Sequence, residues 1–200
     1  VSLREIGRVA RLQIQRASLK VGQKPNRVYD TAPLLSVARL SVSPAGAVAL
    51  LPDGRTAIDV HQRDHPASQH AGRNGVSIGF TAHYARMRER FGAHLSDGCA
   101  GENILIETSD SIGLSDLVRG AAIRCSAAGV EVWLTDIVIA RPCLEFSRHA
   151  LQRPYAGKSS AEVKDALQFL EHGTRGFYVT PANHDGPVTV SLGDRVFVAA

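Results

Sequence analysis

The sequence is poor in cysteine, lysine and aromatic residues. Its three cysteines, Cys99, Cys125 and Cys143, are odd in number and well separated, and no C-x-x-C pair occurs. That argues against a disulfide framework and a structural zinc knot. A reducing, cytoplasmic setting is the expectation. Lys20, Lys24, Lys158 and Lys164 are the lysines, so the net charge of +4 comes almost entirely from arginine. Without a dense basic run or an aromatic platform, the chain has little to offer a nucleic acid. No apolar stretch nears the length of a membrane span. The start, VSLREIGRVARLQIQ, lacks the apolar core of an export signal. The P-loop, the G-x-S-x-G elbow and the dinucleotide G-x-G-x-x-G are absent, and no lysine stands in a pattern that anchors pyridoxal phosphate.

What is present is an ordinary globular composition, 44% hydrophobic and 21% charged, long enough to bury a substantial core. The chain reads as one domain over residues 1–200. GRVARLQIQR alternates around Leu12 and Ile14 and predicts a first strand. VGQKPNRVYDTAPL reads as a surface loop. LLSVARLSVSPAGAVALLPDGRTAIDV predicts two or three short strands broken at SPAG and PDG. HQRDHPASQHAGRNG is polar and aperiodic, an ordered loop of a length that is often functional. SIGFTAHYARMRERFG predicts a helix with Phe80, Tyr84, Met87 and Phe91 on one face, Gly92 past its end and an outer face of Arg86, Arg88 and Arg90. VRGAAIRCSAAGVEVWLTDIVIA reads as a hairpin turning at SAAG. SSAEVKDALQFLEHG predicts a second helix, with Ser159 and Glu162 as a capping box and Val163, Leu167 and Leu170 facing inward. RGFYVT, PVTVSL and DRVFVA are three closing strands. Many short strands and few helices predict a curved antiparallel sheet or a barrel.

Three stretches carry candidate chemistry. In IARPCLEF a strand ends at Arg141-Pro142, since proline cannot donate to a sheet, and Cys143 stands where a short helix begins. A thiol beside an arginine at a helix start is either a small core residue or a favoured thiolate, able to bind a soft metal or carry sulfur. Arg141, two residues away, either grips an anion through its planar fork or only caps strand carbonyls or pairs with a carboxylate such as Glu102. The loop containing His61, Asp64, His65 and His70 offers imidazoles and a carboxylate, to a metal, to a hydrogen-bonded pocket or simply to solvent. In AGENILIE, Glu102 and Asn103 stand at the mouth of a strand, where polar side chains brace a loop or face a ligand.

In their order, GENILIE, VRGAAIRC, IARPC and RGFYVT…VSLGDRVFV resemble the MOSC domain. This is the C-terminal domain of molybdenum cofactor sulfurases, and it also occurs as stand-alone bacterial proteins. The resemblance runs most clearly from about Gly98 to the C-terminus. In the first half, a Gly-Asp-x-His-like stretch of the family has its nearest counterpart in Ile58-Asp59-Val60-His61, without the glycine. The resemblance implies a mainly β fold, a MOSC-like antiparallel barrel or strongly curved sheet with a few packed helices. It implies that Cys143 is the functional thiol, ligating molybdenum in a molybdopterin-type molybdenum cofactor or carrying sulfane sulfur. Arg141, Glu102, Asn103, Asp59, His61 and His65 are the implied cofactor-binding positions. Stand-alone relatives are linked to reduction of N-hydroxylated bases and amidoximes. Three functions stay open at this point: a molybdenum-dependent oxidoreductase served by a reductase, a persulfide carrier served by a cysteine desulfurase, and a non-catalytic cofactor-binding barrel.

Overall fold

A computed structural model of the protein describes residues 2–152, 161–182 and 186–199. The chain opens with β1 (Leu3–Gln15), a small hairpin of β2 (Lys20–Val21) and β3 (Val28–Tyr29), and then β4 (Leu34–Val37), β5 (Arg39–Ser43), β6 (Gly46–Leu50) and β7 (Thr56–Ile58). After the polar loop come β8 (Val76–Phe80), α1 (Thr81–Phe91), β9 (Ile104–Glu107) and the single-turn α2 (Leu114–Leu117). The hairpin β10 (Ala121–Cys125) and β11 (Val130–Ile139) follows, then α3 (Leu144–Ala150), α4 (Ala161–Glu171), β12 (Phe177–Ala182), β13 (Val188–Ser191) and β14 (Arg195–Ala199).

Seven of these strands close into a barrel in the order β14-β10-β11-β12-β8-β9-β1, with β1 pairing back onto β14. The fold is therefore mainly β, a closed barrel with a few packed helices. The long β1 makes closure possible because it serves three partners. Its first half pairs with β14, its middle with β9 and its end with β4, and the register shifts at Glu5/Gly7 and Val9/Arg11. Such bulges bend a strand and raise its twist. Gly7 is required at the first one: a Cβ there would stand 1.8 Å from the Glu107 carbonyl oxygen. Barrel neighbours are antiparallel except β8 and β9, which run parallel. A second sheet, β13-β5-β6-β7, packs Leu40, Val42, Ala47 and Val190 into the same apolar core.

Alternation decides which side chains enter that core. On β9, Ile104 and Ile106 point into the barrel, while Leu105 joins an outer cluster with Tyr84 and Met87 of α1, Phe146 and Ala150 of α3 and Leu170 of α4. The helices thus cover one outer face of the barrel. The hairpin turning at SAAG is as predicted, with Cys125 opposite Val130. In α4, Val163, Ala166 and Leu170 are buried and Leu167 is half-buried. Ser159, the proposed cap of that helix, lies outside the described residues.

Some expectations change. SIGF is not helical: residues 76–80 form β8, buried on both faces. A short, doubly buried strand is continuously apolar, so periodicity cannot tell it from a helix. Residues 34–58 form four strands rather than two or three, and the preceding loop contains the small β2–β3 hairpin.

Candidate functional site

A narrow cleft opens where the end of β1, the β2–β3 hairpin, the loop before β9 and the turn before β12 meet. Gln15, Lys20, Tyr29, His61, Glu102 and Arg175 are among its walls. About 60 Å³ of it is open to the centres of water molecules, room for a few ordered waters.

The polar residues that the sequence singled out around Asp59 form one buried network. Asp59 is fully shielded. Its Oδ2 accepts the Gln15 backbone N–H at 2.7 Å and the Asn103 side-chain amide at 2.9 Å. Its Oδ1 accepts the His61 backbone N–H at 2.8 Å and stands 3.1 Å from His61 Nδ1. Asn103 also donates to the Gln13 carbonyl at 3.2 Å, and its Oδ1 accepts the Ser77 backbone N–H and hydroxyl at 3.0 and 3.1 Å. Every polar atom of the Asn103 side chain is thereby used, so it braces the strands. Asp59 does the same and holds the His61 ring by Nδ1, leaving Nε2 as the nitrogen available to the cleft that His61 lines.

Glu102 lines the cleft but is itself nearly buried. Both of its carboxyl oxygens face the Tyr84 hydroxyl, at 3.0 and 2.7 Å. Burial pushes the Glu102 carboxyl up, and the Tyr84 hydrogen bond and the Arg175 charge oppose that shift. Gly79 makes the arrangement possible, because a Cβ there would lie 2.7 Å from Glu102 Oε1.

Cys143 is the N-cap residue of α3. Its backbone is extended, its Sγ accepts the Phe146 N–H at 3.4 Å, and its carbonyl accepts the Ser147 N–H and hydroxyl. It is half-exposed, whereas Cys99 and Cys125 are buried. Burial, reinforced by Glu102 and Asp97, raises the Cys99 thiol to about 12; burial and Asp194 do the same at Cys125, also to about 12. Cys143 is not one of the cleft-lining residues. Arg175 connects the two places. Its guanidinium carbon lies 5.7 Å from the Phe146 ring, three residues beyond the thiol, and its Nη2 donates to the Ala100 carbonyl at 3.1 Å. Burial works against the Arg175 charge, but Tyr29, Tyr178, Cys143 and Glu102 hold its proton more firmly, and the net direction is up.

Arg141 is exposed and is not one of the cleft-lining residues. His65 is not a lining residue either; its Nδ1 accepts the Ala67 N–H at 3.0 Å and closes a local turn. The structure therefore brings together Asp59, His61, Glu102 and Asn103, packs Arg175 of the same cleft against Phe146 on the helix that Cys143 caps, and leaves Arg141 and His65 apart. Sequence reading missed Arg175, Lys20, Tyr29 and Gln15. For Arg175 a signal existed, a charged residue between Gly173 and Gly176 at a strand entry. Among the described residues no group of three or more His, Cys, Asp or Glu is placed to hold a metal ion.

A molybdenum cofactor suits part of this arrangement. The half-exposed thiol, fixed by a backbone N–H, is a fitting soft ligand, and arginine is the side chain that matches a phosphate. The cleft, at about 60 Å³, is too small for a pyranopterin.

No family model matches the chain, and no curated protein matches it in sequence. Solved structures do resemble it. The YuaD protein from Bacillus subtilis has a TM-score of 0.59 at 14% identity, over 98% of this chain and 97% of that one. A hypothetical protein has a TM-score of 0.51 at 13% identity, over 85% of this chain and 65% of the other. YiiM from Geobacillus stearothermophilus is a weaker likeness, with a TM-score of 0.49 at 12% identity over 100% of this chain and 76% of that one. The first two likenesses show a shared fold: over nearly its whole length this chain has the barrel architecture of the YuaD protein.

Proposed function

We propose that this chain is a MOSC-type barrel that holds a molybdenum cofactor through the Cys143 thiolate and reduces N-hydroxylated substrates. The observation that carries the reading is the setting of Cys143. It is the half-exposed thiol of the three, its sulfur is fixed at the first turn of α3, and that turn packs Phe146 against the Arg175 guanidinium. The bound cofactor would supply the two-electron chemistry. Cys143 would be its metal ligand, Arg141 a rim contact for its phosphate or nucleotide, and a reductase its electron donor.

A second reading is favoured by the same hydrogen bond. The Phe146 N–H already points at Sγ, so an anionic outer sulfur on Cys143 would be near a donor, with no metal needed. In that role the Cys143 thiolate attacks the outer sulfur of a desulfurase persulfide; an S–S bond forms on Cys143 and the donor thiolate leaves.

Anaerobic purification followed by molybdenum analysis and intact mass separates the two. The cofactor reading expects molybdenum approaching one per chain, lost in Cys143→Ser and reduced in Arg141→Lys, which keeps the charge but not the planar fork. A sulfur increment on Cys143 without molybdenum selects the carrier reading. Metal-free, unmodified protein that still binds supplied cofactor is a non-catalytic binding barrel.

A further inference from the structure

The chain's one tryptophan, Trp133, stands in a groove on the outside of the barrel, near the start of β11, whose far end leads to Cys143. Alternation along β11 sends Val132 and Leu134 into the core and leaves Glu131 and Trp133 on the outer face. On the neighbouring strands Trp133 is flanked by alanines, Ala122 of β10 and Ala182 of β12, so the half-buried indole has a hollow beside it where larger side chains would have packed. The opposite wall comes from Pro187 and Val188 at the start of β13, and Val130, 45% exposed, adds a further apolar surface. About 660 Å³ of the groove is open to the centres of water molecules, within the range of small-molecule pockets. Glu131 is the one charged side chain among the lining residues. Arg124 reaches its Oε2 through a single contact at 3.3 Å, and the same guanidinium lies over the Phe197 ring at 4.4 Å, outside the groove. Oε1 is left without a partner among the described residues. So exposed a pair neutralises little of the carboxylate's charge. An indole attracts cations through its π-electrons, an aromatic ring pairs with it and covers apolar wall, and a carboxylate oxygen accepts strong hydrogen bonds from an ammonium or amidinium group.

We propose that this groove binds a small aromatic cation, an arylalkyl ammonium or arylamidinium, with its ring against Trp133 and its positive group at Glu131 Oε1. Both parts of the ligand are needed. Glu131 repels an anion, and a cation without a ring leaves Val130, Pro187 and Val188 facing water. The groove is separate from the function proposed for Cys143, because roughly 20 Å of extended strand lies between Trp133 and Ile139.

Because the chain has one tryptophan, its fluorescence reports on this groove directly. Titration of the intact chain with phenethylammonium chloride, against sodium phenylacetate and ethylammonium chloride at matched ionic strength, tests the proposal. A saturable change in tryptophan emission is expected with phenethylammonium, at an affinity at least fivefold above that for either control compound. That affinity should fall at least fivefold in Glu131→Gln and stay unchanged in Glu89→Gln, an exposed carboxylate of α1. Emission that does not saturate, phenylacetate or ethylammonium binding as tightly as phenethylammonium, or affinity that survives in a folded Glu131→Gln overturns the proposal. If circular dichroism shows Glu131→Gln to be unfolded, Val130→Arg decides, since Val130 is exposed and its replacement adds positive charge to the wall. A fivefold loss in that variant supports the site, and undiminished affinity overturns it.

Discussion

Cys143 differs from the other two thiols in what surrounds its sulfur. Cys99 and Cys125 are enclosed, and burial holds both thiols at about 12, so at neutral pH they offer almost no thiolate. Cys143 is half-exposed and already accepts a backbone N–H. Alkylation at pH 7.5, followed by peptide mass, should label Cys143 at least tenfold faster than either of the others. Faster labelling of Cys99 would remove Cys143 from its proposed role. The neighbouring Arg141 shows how far adjacency in sequence can mislead. It precedes the thiol by two residues yet points to solvent, and the guanidinium packed on the helix that Cys143 caps is that of Arg175, brought from much further along the chain.

At the scale of elements, the site depends on how three outer pieces are tied to the barrel. α3 is held to the β2–β3 hairpin by the Arg27–Glu145 ion pair at 2.6 Å and by the edge-on contact of Tyr29 with Phe146 at 5.1 Å. Glu145 itself is held below the usual carboxylate range: burial opposes this, but its backbone hydrogen bond and Arg27 prevail. α1 is tied to the loop before β9 by the Tyr84 hydroxyl, which accepts the Ala100 N–H at 3.0 Å and donates to Glu102. Tyr84→Phe removes both bonds and leaves the buried Ala100 amide without its acceptor and the buried Glu102 carboxyl without its hydroxyl donor. The expected loss is about 2 kcal/mol in denaturant unfolding. A stability unchanged from the parent would show that water replaces the hydroxyl and that the tie is not structural.

At the scale of the whole molecule, closure of the barrel and the burial of one histidine set the response to mutation and pH. Gly7 lies where β1 bends to meet β14, and a Cβ there would overlap the Glu107 carbonyl oxygen at 1.8 Å. Gly7→Ala should therefore cost at least about 2 kcal/mol, read as a lower urea midpoint. An unaltered midpoint would mean that the bulge relaxes freely. His83 on α1 is buried, edge-on to Phe80 at 5.2 Å, with Nδ1 lacking a partner. Burial lowers its pKa from 6.5 to about 4; the Arg86 charge acts in the same direction, and a hydrogen bond to the Ile112 backbone opposes it. The unfolded chain thus takes up this proton at a higher pH than the folded one. His83 contributes fully above pH 6.5, and its contribution is lost as pH falls from about 6.5 to about 4. The difference is on the order of 3 kcal/mol. Urea midpoints between pH 7 and pH 4 should show that decline in the parent and a shallower one in His83→Leu. Parallel curves would assign the acid sensitivity elsewhere.

Much of this architecture is legible in local pattern, because local pattern records which face of an element is apolar. The SAAG turn and its flanking alternation give the β10–β11 hairpin, Tyr84 and Met87 give the buried side of α1, and the number of short strands gives a mainly β fold. The buried strand β8 is hidden by the same rule: with both faces covered it has no periodicity to reveal. The parallel pairing of β8 with β9, the return of β1 onto β14 and the junction of Arg175 with Cys143 and Glu102 are long-range events. They are chosen by the packing of the assembled core, which no window of neighbouring residues contains. The sequence alone therefore determined the class of fold, the candidate thiol and the residues around Asp59 and Glu102. Tertiary structure alone decided which arginine meets the site, that Asn103 and Asp59 serve as braces, and that the cleft is small, because a cleft's volume and its long-range partners exist only once distant segments have closed on one another.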